Sequence, residues 1–66
     1  MDVQEVIFRL KRNGQSQKSI AAQLGVSHGA VNNTLHGRTR SRQVAVAIAA
    51  AVRLPLERVF PGTYES

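Results

Sequence analysis

Residues 17–35 read QKSIAAQLGVSHGAVNNTL, with a glycine, Gly25, between two short apolar patterns. The apolar positions recur at helical spacing and are Ile20, Ala21 and Leu24 before the glycine and Val31 and Leu35 after it. Glycine readily takes the positive φ with which a chain leaves a helix, and Ser27 can cap the next helix by accepting a backbone N–H. Val26 is expected to fill the corner. The segment therefore predicts two short helices joined by a tight turn, a helix-turn-helix.

A first helix is predicted ahead of this segment. Asp2 and Glu5 fit a capping box, and the Asn-Gly pair at residues 13–14 is expected to end the helix at about Asn13. Its apolar face consists of Val3, Val6, Ile7 and Leu10. Serines are expected to cap the next three helices, which are residues 17–24 after Ser16, 28–36 after Ser27 and 42–54 after Ser41.

The fourth helix is predicted to be the central buried one. Its apolar stripe consists of Val44, Ala47, Ile48, Ala51 and Val52. A short fifth helix, residues 55–59, is expected to start with Pro55 at its first position and to close the core with Leu56, Val59 and Phe60. No stretch shows a strand pattern. We predict an all-α fold, a compact bundle of five short helices in which residues 1–66 form a single helix-turn-helix domain.

The distribution of charge favours a polyanionic partner. The net charge is +5, and the four acidic residues, Asp2, Glu5, Glu57 and Glu65, all lie near the ends of the chain. Residues 6–56 contain eight lysines and arginines and no carboxylate. Such a field attracts nucleic acid, and together with the helix-turn-helix it predicts binding to double-stranded DNA.

Other classes of protein fit this composition less well. There is no cysteine, and no combination of residues resembles a catalytic triad, so we expect neither an enzyme nor a cofactor. His28 and His36 would lie about 12 Å apart along one helix, too far to share a metal ion. No apolar stretch is long enough to span a membrane, and Met1-Asp2 begins no signal peptide, so we expect a cytoplasmic, nucleoid-associated protein in a bacterial host.

Two parts of the chain carry a family resemblance. They are residues 17–35 and a tail containing residues 48–52, Leu56, Val59, Phe60, Pro61 and Tyr64. Together they resemble the lambda-repressor-like group of phage and bacterial regulators, and more closely the small Ner-like proteins of transposable phages. The resemblance implies a transcriptional regulator, typically a repressor at phage or prophage early promoters. A bacterial Ner-like activator is the alternative within the family.

If the third helix enters the major groove, its first residues and its outward face reach the bases. These candidate base contacts are Ser27, His28, Gly29, Asn32, Asn33 and His36. The amide of asparagine suits adenine, because it can donate to N7 and accept from the N6 amino group. We expect at least one of Asn32 and Asn33 to read a base.

Candidate contacts to the DNA backbone flank this helix. They are Gln17 and Lys18 at the start of the second helix and Arg38, Thr39, Arg40 and Arg42 after the third. Helix N-termini and cationic side chains bind phosphate and position a protein on the duplex. Arg9, Lys11 and Arg12 are candidates to extend this footprint.

Two questions stay open at the level of sequence. A protein-interaction module, such as an antitoxin or antirepressor, and an RNA binder are alternatives to a DNA reader. A weak homodimer is also possible, through an apolar patch of Val46, Ala49 and Ala50 with the tail residues Leu56, Phe60 and Tyr64, unless the tail covers the core of its own subunit. We expect a monomer or weak dimer that pairs on a DNA site with two half-sites.

Overall fold

Five helices follow one another in residues 1–63, the part of the chain that the computed structural model describes. They are α1 (Val3–Arg12), α2 (Gln17–Leu24), α3 (His28–Leu35), α4 (Arg42–Val52) and α5 (Leu56–Val59). These residues contain no strand, which confirms the all-α prediction for them. Tyr64, which the sequence placed in the apolar tail, lies outside the described residues.

The capping box predicted at the start of α1 is wrong. Asp2 occupies the N-cap position, but its side chain makes no capping hydrogen bond. Glu5 instead accepts hydrogen bonds of 3.2 and 3.1 Å from the Nε and Nη2 atoms of Arg9, one turn further along the helix. An ion pair at this spacing draws the carboxylate away from the helix start. The apolar face is as predicted, with Val6 and Leu10 buried.

The caps predicted for α2 and α3 are confirmed. The Ser16 hydroxyl accepts the backbone N–H of Ser19, and the Ser19 hydroxyl accepts the backbone N–H of Ser16, which completes a capping box. Ser27 accepts the backbone N–H of Ala30 at 3.1 Å. Gly25 has a φ of 70°, so a glycine is favoured where α2 ends. Helix α3 ends one residue earlier than predicted, with His36 as its C-cap.

Helix α4 ends two residues earlier than the sequence pattern predicted. Arg53 takes a left-handed conformation, with a φ of 61° and a ψ of 41°. The backbone N–H of Leu54 then donates to the carbonyl of Ala49 at 3.1 Å, which closes the helix. Because a residue before proline disfavours the helical conformation, Pro55 prevents Leu54 from continuing α4. Pro55 is accordingly the N-cap of α5 and not its first helical residue.

Helix α4 is the centre of the fold, as predicted, and it packs against each of the other four helices. Its buried face is wider than the single apolar stripe that the sequence predicted, because the other helices contact it on several sides. Ala45 and Ala49 are buried, while Ala47 and Ala51 are half-buried. The expectation that Ala49 lies on an exposed patch is therefore wrong, although Val46 and Ala50 are exposed.

The end of the described chain covers the core. Val59 is buried, and Leu56 and Phe60 are half-buried against the core cluster. Leu56 and Phe60 therefore do not form the exposed apolar tail that the sequence suggested. Within residues 1–63, none of the helices has the length and hydropathy needed to cross a bilayer.

The left-handed Arg53 generates a prediction about stability. Arg53→Gly is expected to raise the free energy of unfolding by about 0.5–1 kcal/mol, because the relief of left-handed strain, about 1–2 kcal/mol, exceeds the additional backbone entropy that glycine loses, about 0.5–1 kcal/mol. Chemical denaturation followed by circular dichroism measures the change. Arg53→Ala is the matched control, since it removes the same charge and keeps the strain. Equal stabilities of the two variants would contradict the explanation.

Candidate nucleic-acid interface

Helices α2 and α3 pack against each other across a connection of three residues, 25–27. The connection is closed by the backbone N–H of Val26, which donates to the carbonyl of Ala21 at 3.0 Å. Val26 is half-buried against the core, as the sequence predicted for the corner. On α3 the buried residues are Val31, Thr34 and Leu35, so the face away from the core carries His28, Gly29, Asn32, Asn33 and His36.

A side-chain hydrogen bond joins this outward face to the start of α2. The Nδ2 atom of Asn32 donates to Oε1 of Gln17 at 3.2 Å, and both side chains are half-buried. Asn32 is a candidate base contact, and Gln17 is a candidate contact to the DNA backbone. Their bond holds the two amides in a fixed relation. Because an Asn amide has two N–H groups and an acceptor oxygen, Asn32 keeps both a donor and an acceptor for a ligand.

A groove of about 270 Å³ opens beside Gln17, between the end of α1 and the starts of α2 and α3. Its wall is apolar where Ile7 and Leu10 line it. Its other lining residues are Lys11, Ser16, Gln17, Lys18 and His28. The groove therefore brings side chains from three helices to one place. We refer to Lys11, Gln17, Lys18, His28 and Asn32 as the α2–α3 patch.

The three basic residues at the end of α1 are in different situations. Arg9 is paired with Glu5 at 3.1 Å. The guanidinium of Arg12 lies 5.8 Å from the centre of the Phe8 ring, a cation–π contact on an exposed aromatic. Lys11 lines the groove. Sequence reasoning treated the three alike, whereas Arg9 and Arg12 each contact a residue four positions earlier on α1 and Lys11 lies on the groove.

The remaining base-contact candidates lie at the two ends of α3. Ser27 is exposed, and its hydroxyl caps the helix. Gly29 is exposed, and an added Cβ would meet only Ser27 Oγ, at 3.9 Å, so the packing of this chain does not require a glycine there. Its absent side chain leaves room for a partner to approach the helix. His36 is exposed at the other end of α3.

The basic residues after α3 lie on a loop that Asn33 anchors. The carbonyl of Asn33 accepts the backbone N–H groups of Arg38 and Thr39, at 2.9 and 3.3 Å. Arg38, Thr39 and Arg40 are exposed on residues 37–41, which we refer to as the arginine loop. Arg42 is exposed at the first position of α4. The loop therefore begins beside the outward face of α3.

Sequence reasoning missed the role of one buried polar residue. Thr34 is 1% exposed, and its hydroxyl donates to the carbonyl of Ala30 at 3.0 Å. A buried polar group with such a partner avoids the cost of lost hydration. Its position three residues after Val31 is the signal that could have placed it on the buried face.

The chemistry of the interface is that of polar donors and cations. Within residues 1–63, no three or more His, Cys, Asp or Glu side chains form a group that could hold a metal ion. Comparisons of the chain with family models, with curated proteins and with solved structures found no match. Inference about function therefore depends on the α2–α3 patch and the arginine loop.

Proposed function

We propose that this chain is a sequence-specific, double-stranded DNA-binding transcriptional regulator. In this proposal α2 and α3 form a helix-turn-helix, and α3 is the recognition helix. The observation that carries it is the α2–α3 patch, where Lys11, Lys18 and His28 line the same groove as Gln17, whose amide is bonded to that of Asn32. Residues 6–56, which supply the patch, contain no carboxylate to oppose a phosphate backbone.

The patch combines the two kinds of chemistry that a DNA reader needs. Lysines and the N-terminus of α2 suit phosphates, which position a protein on the duplex without reading its sequence. Asn32 suits a base edge, since its remaining N–H and its Oδ1 atom match N7 and N6 of adenine. Its bond to Gln17 links the base-reading amide to the phosphate-binding end of α2. The arginine loop extends the backbone contacts on the other side of α3.

The specific form that we propose is a repressor of phage or prophage early promoters. It rests on the resemblance of residues 17–35 and of the tail to Ner-like regulators, for which activation is the alternative role. Footprinting on the DNA upstream of the gene for this chain would give the site, its length and its symmetry. A reporter placed under that promoter then distinguishes repression from activation.

We also propose that two copies pair on one operator. Each copy supplies one recognition helix, α3, and recognition helices in adjacent major grooves lie about 34 Å apart. Two such helices therefore require two copies. The large exposed hydrophobic residues in the described part of the chain are Phe8 and Val46, too little apolar surface for a tight dimer without DNA.

The first prediction of the proposed function concerns the dependence of DNA affinity on salt concentration. If each copy neutralises four or five phosphates, the slope of log K against log salt should be about −4, from about −0.9 per phosphate. Lys11→Ala should make this slope less steep by about 1 and weaken all sequences alike. Fluorescence anisotropy with a labelled genomic duplex measures both.

Arg12→Ala is the matched control for Lys11→Ala. It removes the same charge from the neighbouring position of α1, from a side chain that lies over Phe8 and does not line the groove. We expect the slope of Arg12→Ala to lie closer to that of the unaltered chain than the slope of Lys11→Ala does. A salt-independent affinity of the unaltered chain would contradict DNA binding and favour an apolar protein partner.

A second prediction separates base reading from phosphate binding. Asn32→Ala should reduce discrimination by about 1–3 kcal/mol at one base pair, because it removes a paired donor and acceptor. Arg40→Ala should weaken all sequences without changing their order. Selection from a randomised duplex library measures both effects. An unchanged preference in the Asn32 variant, with its helical circular dichroism intact, would refute the assignment of this base contact.

The third prediction concerns assembly. Sedimentation at micromolar concentration should show a monomer or weak dimer without DNA and two copies on a duplex that contains the full operator. DNA aligns the two copies and so supplies the association that their small apolar surface lacks. A tight dimer without DNA, or one copy on the full operator, would contradict paired binding.

A further inference from the structure

Asn33 and Arg38 are joined by both a backbone and a side-chain hydrogen bond. Besides the two backbone bonds from Arg38 and Thr39 to the carbonyl of Asn33, the side chains also meet. The Nη1 atom of Arg38 donates to Oδ1 of Asn33 at 3.4 Å. The arginine side chain therefore runs back from the loop to α3 and places its guanidinium beside the outward face of that helix.

The position of this guanidinium differs from the one expected for a phosphate contact. A loop arginine that only binds phosphate needs no partner on the recognition helix, because phosphate binding depends mainly on charge. Holding a long side chain in one geometry costs rotamer entropy, which the contact with Asn33 has to offset. The contact limits the directions in which the guanidinium can donate, and direction is what base recognition requires.

The remaining hydrogen-bonding groups suit one base. A guanidinium has five N–H groups in a planar fork, and the bond to Asn33 involves one of its terminal nitrogens. Two parallel N–H groups of arginine match O6 and N7 of guanine, the commonest specific contact in the major groove. Asn33, in contrast, uses one lone pair of its Oδ1 atom for Arg38, so its amide is oriented toward the guanidinium.

We propose that Arg38 reads a guanine in the major groove and that Asn33 is the positioning residue that holds its guanidinium. This inference rests on the proposed DNA-binding function and changes two roles within it. Arg38 becomes a specificity-determining residue instead of a backbone contact, and Asn33 acts through Arg38 instead of reading a base itself. Asn32, on α3, and Arg38, on the arginine loop, then recognise different base pairs.

The test is selection of binding sites from a randomised duplex library, with preference scored at each base pair. Arg38→Ala removes the guanidinium, so it should reduce the preference for guanine at one position by roughly 5- to 150-fold. Arg40→Ala is the matched control, since it removes the same charge from the same loop, and it should leave this preference unchanged. Asn33→Ala should reduce the preference at the same position, and Asn33→Asp should retain it, because a carboxylate also accepts the arginine bond.

The rescue by Asn33→Asp separates positioning from a general role in folding or affinity. Its added negative charge should weaken binding to all sequences, so the readout is preference and not affinity. Three results would overturn the inference and leave DNA binding standing: no selected guanine, a guanine preference that survives in Arg38→Ala, or one that Arg40→Ala loses equally. Failure of the unaltered chain to bind any duplex would instead overturn the proposed function itself.

Discussion

The close packing of α4 against every other helix is the constraint on which this structure depends. A chain of 66 residues can bury only a small core, so its helices have to approach closely for the apolar side chains to meet. Ala45 and Ala49 permit that approach, since a larger side chain at either buried position would separate α4 from its neighbours. Val44, Ile48 and Val52 then fill the space around them.

This packing determines how α3 is presented. Val31, Thr34 and Leu35 lie against the core, so the opposite face of this eight-residue helix points away from the core. So short a helix is marginal alone, and its orientation comes from tertiary contacts. The bonds from Asn32 to Gln17 and from Arg38 to Asn33 add polar links at two points of the outward face. Asn32 and Asn33 on this face are thus linked to neighbours on α2 and on the arginine loop.

The proposed division of labour follows from these restraints. Exposed cations, such as Lys11 and Lys18, suit a phosphate backbone that offers the same charge at every step. Groups that are held by a neighbour, such as Asn32 and Arg38, suit base edges, where the direction of a hydrogen bond carries the information. A small domain can in this way combine affinity and specificity on one helix and its flanking segments.

The sequence by itself determined the number and order of the helices, their serine caps and the turn at Gly25, because apolar spacing, capping and backbone conformation depend on residues within one or two turns. It did not determine that Glu5 pairs with Arg9 in place of capping α1, or that α4 ends at a left-handed Arg53, where local alternatives compete. Only the tertiary structure decided that Ala49 is buried, that Lys11 alone among its basic neighbours lines the groove, and that Asn32 bonds to Gln17 fifteen residues away. These contacts depend on the angles and distances between helices, which the packing around α4 sets.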